Sequence, residues 1–543
     1  MDDLSPAATA AAAGARRDAF DRLTFLGWRG GLVAIVAGLA LSFFLFGYAT
    51  VYWRNADMDF MVIYNALAMN DGKPQHFFDH TAYLTILTVK YWFAFLHAVG
   101  LLDAWSLSSM PPATDVAAFD AAMTHAVRAG RVLAFLIAAA SVLLFAALIR
   151  AIVRDWRVAL LAVLAFAFSG GLAVHSRILR SELIAALPVI FALMILIVAG
   201  RSASLTRPLA LGIAAVLCVL GLENKVQAIL LIGTLPLAIL PFGSRDSASV
   251  AFWRGPAAWL VTAAGAVIAA LAVGMAWPLI ASGFDRALID AAQFRPLLLG
   301  RYCVYQLALM LLIGACMIAY AAIWRVSATE TLASMCAIVT GAALTLLLLH
   351  IAYDHRNVIA IANPLEKMLT FADTATSDVA SGPGISGIAR LLVEGVGSVL
   401  ARYTFVLHSS ARPTVFLTWL VVPGIVMVWR RGERLAALQA LTLLLAAIGI
   451  DTLGVRRGLK SEYFVFTDPL IILSGAILLD RLADLRFARW TYATAMALFG
   501  LHLAIGQAEP VKHTFKRTGP QSTCEWNNYY MPLLPLHWCP AKP

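Results

Sequence analysis

Apolar runs follow one another along this chain, separated by short polar breaks. The first starts near Trp28 and ends near Trp53, and an apolar stretch of roughly 20 residues spans a bilayer as one helix. Further runs lie at about residues 131–150, 157–174, 183–200, 208–222, 226–242, 256–280 and 305–324, then at 329–351, 414–429, 435–452, 464–480 and 490–507. Together they predict about 13 helices of about 20 residues each.

Composition agrees that lipid is the solvent. With 61% hydrophobic residues, 13% charged residues and a mean hydropathy of +0.80 over 543 residues, the chain has too little polar surface to cover a soluble globule. The expected fold class is therefore an all-α polytopic membrane protein.

Arginines orient it. The Ala-rich stretch within residues 1–28 is too short to span, and Arg16, Arg17 and Arg22 precede the first run, so residues 1–28 read as a cytoplasmic tail before an uncleaved span. Alternate breaks then hold Arg150, Arg154 and Arg157; Arg201 and Arg207; Arg245 and Arg254; Arg325; Arg430, Arg431 and Arg434; and Arg481, Arg486 and Arg489, the bias of inward turns. An odd number of crossings puts the C-terminus outside, giving a transmembrane domain over 29–507 and a short extracytoplasmic tail over 508–543.

The net charge of +10 and pI of about 9.4 follow from that topology and from anionic membrane lipids, and no nucleic-acid partner is expected. There is no Walker loop, dinucleotide fingerprint or metal-finger spacing, which argues against cytoplasmic nucleotide-driven transport. High Ala, Leu and Arg content points to a GC-rich bacterial genome, hence an inner (plasma) membrane with its outer face toward the periplasm.

Two outward loops are long, at about 54–130 and 351–413. Within the first, TAYLTILTVKYWFAFLHAVGLL is interrupted by Lys90 and His97, so it reads as an interfacial helix whose aromatic belt is Tyr83, Tyr91, Trp92 and Phe93. The second loop is long enough to form a lid. Cys218, Cys303, Cys316 and Cys336 read as apolar fillers in or beside spans. Cys524 and Cys539 share the polar tail on the oxidising side, where a disulfide is expected.

Candidate chemistry begins just past the first span, in RNADMDF, with Asp57 and Asp59. Asn55 and Asp57 are also good capping residues, and the helical period of FMVIYNALAM makes a solvated cap an equally simple reading. Outward turns carry unexpected charge: HSRILRSE with His175, Arg177, Arg180 and Glu182; LENK with Glu223 and Lys225; VRRGLKSEYF with Arg456, Arg457, Lys460, Glu462 and Tyr463. Cations at an outer mouth ask for an anionic partner, and guanidinium forks match phosphate. Each cation alone is as readily a snorkelling residue, and Arg177 with Glu182 is as readily an internal ion pair.

The run DFMVIYNALAMNDGKPQHFFDH, with an acid at the outer end of the first span, an aromatic at Tyr64, Gly72, and Phe77 and Phe78, resembles the first outer loop of the glycosyltransferase C superfamily. GLENKVQAILLI is similar to that family's Gly-Leu-x-x-x-Lys turn, HSRILRSEL to its third-to-fourth-span turn, and SEYFVFTDPLIILSGAILL to its late span. The acid-acid dipeptide of the protein O-mannosyl and aminoarabinose enzymes is here Asp59 then Phe60, closer to the mannosyl-lipid-dependent branch.

The resemblance implies a transferase that moves a sugar from a polyprenyl-phosphate donor to a lipid, glycan or protein acceptor at the outer face. Such transfer needs a base, cations for the leaving phosphate and a groove for the lipid tail. On that view Asp59 is the base, assisted by Asp57. Lys225, Arg177, Arg180, Arg456 and Arg457 hold the donor phosphate, and His175, Glu182, Tyr64, Tyr463, His355 and Arg356 touch substrate. No metal or other cofactor is required by the residues. If a divalent cation takes part, as in some members of the superfamily, Asp57, Asp59 and Glu182 would supply its hard oxygen ligands. An O-antigen ligase or polymerase type of transferase and a lipid-linked glycan transporter or flippase are the competing functions.

Overall fold

A computed structural model describes residues 27–55, 59–75, 82–201, 207–239, 247–282, 303–352, 385–404, 414–454, 461–482, 489–515, 519–524, 527 and 531–540. These residues form α-helices in the order α1 Gly27–Phe43, α2 Met61–Asn70, α3 Tyr83–Ala98, α4 Val116–Ile152, α5 Trp156–Ala167, α6 Gly170–His175, α7 Glu182–Arg201, α8 Arg207–Asn224, α9 Ala228–Ile239, α10 Ser247–Arg254, α11 Pro256–Ser282, α12 Cys303–Trp324, α13 Ala328–Ala352, α14 Ile385–Thr404, α15 Val415–Arg430, α16 Arg434–Gly454, α17 Asp468–Leu482 and α18 Arg489–Phe515. No β-strand occurs among the described residues. A π-turn, Phe44–Tyr48, prolongs α1, and short 3-10 turns occupy Tyr52–Asn55, Ser461–Phe466 and Pro520–Thr523.

Each apolar run of the sequence contains a helix. Among the described residues, 7 helices are long and apolar enough to cross a membrane: Gly27–Tyr48, Val116–Ile152, Glu182–Gly200, Arg207–Asn224, Pro256–Ala281, Ala328–Ala352 and Arg434–Thr452. Others, such as Trp156–Ala167 and Val415–Arg430, are apolar but shorter. Helices in lipid associate through close packing of small residues, and α8 with α13 does so: a Cβ on Gly341 would meet the Gly212 carbonyl oxygen at 2.4 Å.

Several boundaries differ from the sequence expectation. The helix expected at 131–150 starts at Val116, where the Asp115 side chain accepts the Ala118 N–H. Arg128 and Arg131 interrupt the apolar pattern there, and Arg131 keeps its place in the helix because it finds an acidic partner. The span expected at 157–174 is broken: α5 stops at Ala167, and the Ser169 hydroxyl accepts the Leu172 N–H to start α6. A Cβ on Gly506 would lie 2.4 Å from the Phe168 carbonyl oxygen, so α18 packs directly against that break.

The expected aromatic belt on α3 also divides. Tyr83 and Phe93 are buried in the protein, Tyr91 is exposed, and the Trp92 indole N–H donates to the Ala129 carbonyl at 3.0 Å. Only part of that aromatic set therefore faces outward. The loop expected at 351–413 contains the amphipathic helix α14, and α18 extends past residue 507 to Phe515. Among the cysteines expected as fillers, Cys218, Cys316 and Cys336 are free.

The bundle has two cores. One runs through α1, α4, α5, α7, α9 and α14 to α18; Phe135, packed against it, stacks on Phe43 at 5.1 Å, a contact worth about 1 kcal/mol. The second forms a cap where α1 ends: Tyr52, Phe60 to Leu67, α3 and the first turns of α4 enclose Leu179, Met531, Leu534 and Leu536. At the opposite end, Arg154 and Asp155 donate backbone N–H groups to Asp480, Arg481 pairs with Glu433 at 3.0 Å, and Arg431 donates to the Arg481 carbonyl.

A disulfide joins Cys524 to Cys539 across a separation of 15 residues, closing the tail over the cap. Closing a loop of that length removes about 3 kcal/mol of unfolded-state entropy. Cys524→Ser with Cys539→Ser is expected to lower the melting temperature and to speed amide exchange at 531–536 and in α2. Exchange unchanged in both segments would show that the tail holds without its covalent closure.

Candidate active site at the cap end

Asp59 opens the site. It lies in a single π-type turn before α2, and the cap of that helix is Phe60, which makes no side-chain capping bond. Asp59 is therefore not a solvated cap. Its carboxylate is fully buried: Oδ2 accepts from Arg131 Nε at 2.8 Å and Oδ1 accepts the Leu179 backbone N–H at 2.6 Å. Burial raises its proton affinity above the ordinary carboxylate range, against the opposing pull of Arg131 and the Leu179 N–H.

Arg131 is not among the site residues that the sequence pattern points to. Its guanidinium also donates to the carbonyls of Gly47, Thr50 and Val51 at the end of α1. The signal was present, because a cation inside an otherwise apolar helix requires a partner.

A short step along the chain from Leu179 stands a second buried charge cluster. Arg180 and Glu182 precede and begin α7, and Glu182 Oε1 accepts from Lys225 Nζ at 2.6 Å and from Arg180 Nη2 at 3.1 Å. Arg180 Nε donates to the other oxygen at 3.2 Å, and Nη2 also reaches Glu462 at 3.5 Å. Lys225 sits 5.5 Å from the centre of the Tyr463 ring. His175 closes the group, its Nε2 lying 3.0 Å from the Glu462 carbonyl oxygen. A Cβ on Gly171 would lie 2.5 Å from the Val465 backbone nitrogen, so only glycine lets α6 approach the 461–466 turn closely enough for that contact.

Burial pushes the His175 imidazole down to about 4, with Glu182 resisting and Arg180 adding to the shift. Near pH 7 the ring is neutral, so Nε2–H donates to Glu462 while Nδ1 is a buried atom without a partner. In the unfolded chain the same ring has its ordinary value near 6.5, and the unfolded state takes up the proton first on acidification. Stability from this group is thus complete above about pH 6.5 and falls as pH drops toward 4, by about 3 kcal/mol in full. His175→Gln should remove that share of the acid sensitivity, read as a smaller change in melting temperature between pH 7 and pH 4.5 than the parent shows. Equal acid sensitivity in both proteins would place the titrating group elsewhere.

Other expected residues are placed differently. Arg177 does not pair with Glu182: its Nη2 donates to the Ser42 hydroxyl and to Gln507, and it lies over the Phe46 ring at 5.2 Å. Its Nε and Nη1 are buried without acceptors, and burial lowers it to about 10. Tyr64 is enclosed in the cap core, where its hydroxyl accepts the Leu533 N–H at 3.3 Å, so it holds the tail. Asp57, His355, Arg356, Arg456 and Arg457 lie outside the described residues.

Of the candidate metal ligands Asp57, Asp59 and Glu182, the first lies outside the described residues. Both oxygens of Asp59 are taken by Arg131 and Leu179, both of Glu182 by Arg180 and Lys225, and no group of three His, Cys, Asp or Glu side chains able to hold a metal is gathered among the described residues.

No family model, no curated protein and no solved structure matches this chain.

Proposed function

We propose that this protein is an integral-membrane glycosyltransferase of the glycosyltransferase C kind, moving a sugar from a polyprenyl-phosphate donor to an acceptor hydroxyl with inversion. One observation supports the reading above others. An acid from the first loop and charged groups from three distant turns, Arg180 with Glu182, Lys225, and Glu462, meet at the same end of the bundle. Buried charge of that density is costly to assemble for stability alone and is frequent at catalytic sites.

In the proposed reaction the acceptor oxygen attacks the anomeric carbon as the bond to the lipid phosphate breaks. The hydroxyl proton passes to Asp59, and polyprenyl phosphate leaves with the bonding electrons. Arg131 keeps Oδ2 oriented, while Oδ1 exchanges the Leu179 N–H for the acceptor.

Charge balance narrows the phosphate partners. Arg180 and Lys225 are matched by Glu182 and Glu462, whereas Arg177 has only neutral acceptors. We therefore assign the phosphate first to Arg177, with Lys225, Arg456 and Arg457 as further candidates. The membrane arrangement that goes with this has about 13 crossings, the N-terminus in the cytoplasm and the cap end in the periplasm of a bacterial inner membrane. A disulfide at the cap end fits an oxidising compartment.

A carrier or flippase would instead place its ionisable groups near mid-membrane, and Glu182 and Lys225 stand at helix ends. An O-antigen ligase type would depend on the late turn and be indifferent to Asp59. The test is turnover of a polyprenyl-phosphate sugar, labelled in the sugar, by the purified protein in nanodiscs supplied with an envelope extract as acceptor. Label transfer with release of polyprenyl phosphate is expected. Failure to bind the donor in competition with free polyprenyl phosphate would remove the reading.

A further inference from the structure

One face of α4 carries polar groups that the site above leaves unused. Asp120, Thr124 and Arg128 recur at four-residue spacing, the spacing of a single helix face. With Ala121, His125 and Tyr48 they line an open cleft of about 520 Å³. Arg131, which holds Asp59, is three residues further along the same helix, about 5 Å by helix rise. Tyr48 ends the π-turn after α1, next to Gly47, whose carbonyl accepts from Arg131. The cleft is thus an opening one helical turn from a carboxylate that is itself enclosed.

The cleft lining holds one carboxylate and one guanidinium, and the two are not paired with each other. Asp120 is engaged on the tail side, accepting from the Tyr52 hydroxyl and lying 2.9 Å from His537 Nε2. Arg128 lies over the Tyr48 ring at 5.0 Å, its Nε is buried without an acceptor, and no carboxylate among the described residues pairs with it. A guanidinium supported on its flat side by an aromatic ring keeps its edge donors for an oxyanion, which it can take in bidentate fashion. Thr124 and His125 add a hydroxyl and an imidazole at the same wall, the complement of a compound that bears hydroxyls beside its charge.

We propose that this cleft binds the oxyanion of a hydroxyl-rich compound, a sugar acid or a sugar phosphate, with Arg128 on the oxyanion and Thr124 and His125 on neighbouring hydroxyls. Naming that compound the acceptor rests on the transferase reading; its binding does not. Such a ligand would present a hydroxyl toward the Asp59 side from a position anchored one turn away.

The experiment is titration of glucuronate, glucose 6-phosphate and neutral glucose onto the full-length protein in phosphatidylcholine nanodiscs, followed by saturation-transfer NMR. Saturable binding of both acids and none of glucose at the same concentrations is expected. Arg128→Gln should weaken the acids at least tenfold, Arg128→Lys less, and Thr124→Val or His125→Ala several-fold. Glucose binding as well as glucuronate, neither acid binding, or Arg128→Gln matching the parent would each overturn the proposal. A parallel arm uses phosphatidylglycerol nanodiscs. Unchanged glucuronate binding there supports a soluble ligand, whereas loss of binding would assign Arg128 to a lipid headgroup and overturn the sugar-acid ligand. Donor turnover is measured separately: acid binding without turnover leaves the cleft and removes the transferase, and turnover without acid binding does the reverse.

Discussion

Asp59→Asn is expected to abolish turnover and to cost about 3 to 5 kcal/mol of stability, because it leaves Arg131 charged and enclosed without its counter-ion. The cost falls toward the lower figure because Arg131 also donates to the Gly47, Thr50 and Val51 carbonyls. An unstable, inactive variant does not separate a base from a structural ion pair, so two further variants carry the argument. Asp59→Glu keeps the charge and the pair but pushes the carboxylate outward by one methylene at a fully buried position, costing about 1 to 3 kcal/mol. If Asp59 takes the acceptor proton, displacement of that size lowers kcat about a hundredfold, while the donor Kd stays near its parent value. The pair Asp59→Leu with Arg131→Met replaces both charges by apolar groups of similar volume, an exchange that is often neutral in stability. A folded and inactive double variant is the expected result. A folded and active one would reduce Asp59 to a structural role.

The periodicity of the sequence located the helices well, since each apolar run contains one, and it failed where a polar group is satisfied by a distant contact. Arg131 looked like the edge of a span because its partner lies 72 residues away. Ser169 with Gly170 and Gly171 looked like span interior because the capping bond and the close approach of the 461–466 turn are not visible in hydropathy.

The charged turns were legible as a set and illegible as pairs. Residues 176–181 lie outside any helix, so helical spacing does not govern who meets whom. Arg180, two residues from Glu182, makes the fork, and Arg177 points to α1 and α18 instead. The polar face of α4 is not legible in the sequence because Asp120, Thr124, His125 and Arg128 fall in a stretch with the polarity of a loop.

Among the charges at the cap end, Glu182 should matter most to folding, and Glu182→Gln is expected to cost more than Lys225→Met. Glu182 satisfies two cations at once, Lys225 at 2.6 Å and Arg180 through both of its oxygens. Removing its charge takes from Arg180 its two-point acceptor, with Glu462 at 3.5 Å remaining, and leaves Lys225 beside the Tyr463 ring, 5.5 Å from its centre. Uncompensated buried charge of this kind costs about 3 to 5 kcal/mol. Lys225→Met removes one cation yet leaves Glu182 bonded to Arg180, and its apolar chain replaces much of the lost volume, so about 1 to 3 kcal/mol is expected. The same order has a functional side under the transferase reading: Lys225→Met should raise the donor KM with a smaller change in kcat, because its contribution is to phosphate binding, whereas Glu182→Gln should lower both folded yield and kcat. Thermal unfolding of the two variants in nanodiscs, compared with donor titrations, decides it. Lys225→Met proving as destabilising as Glu182→Gln would mean that the lysine, not the carboxylate, organises the cluster.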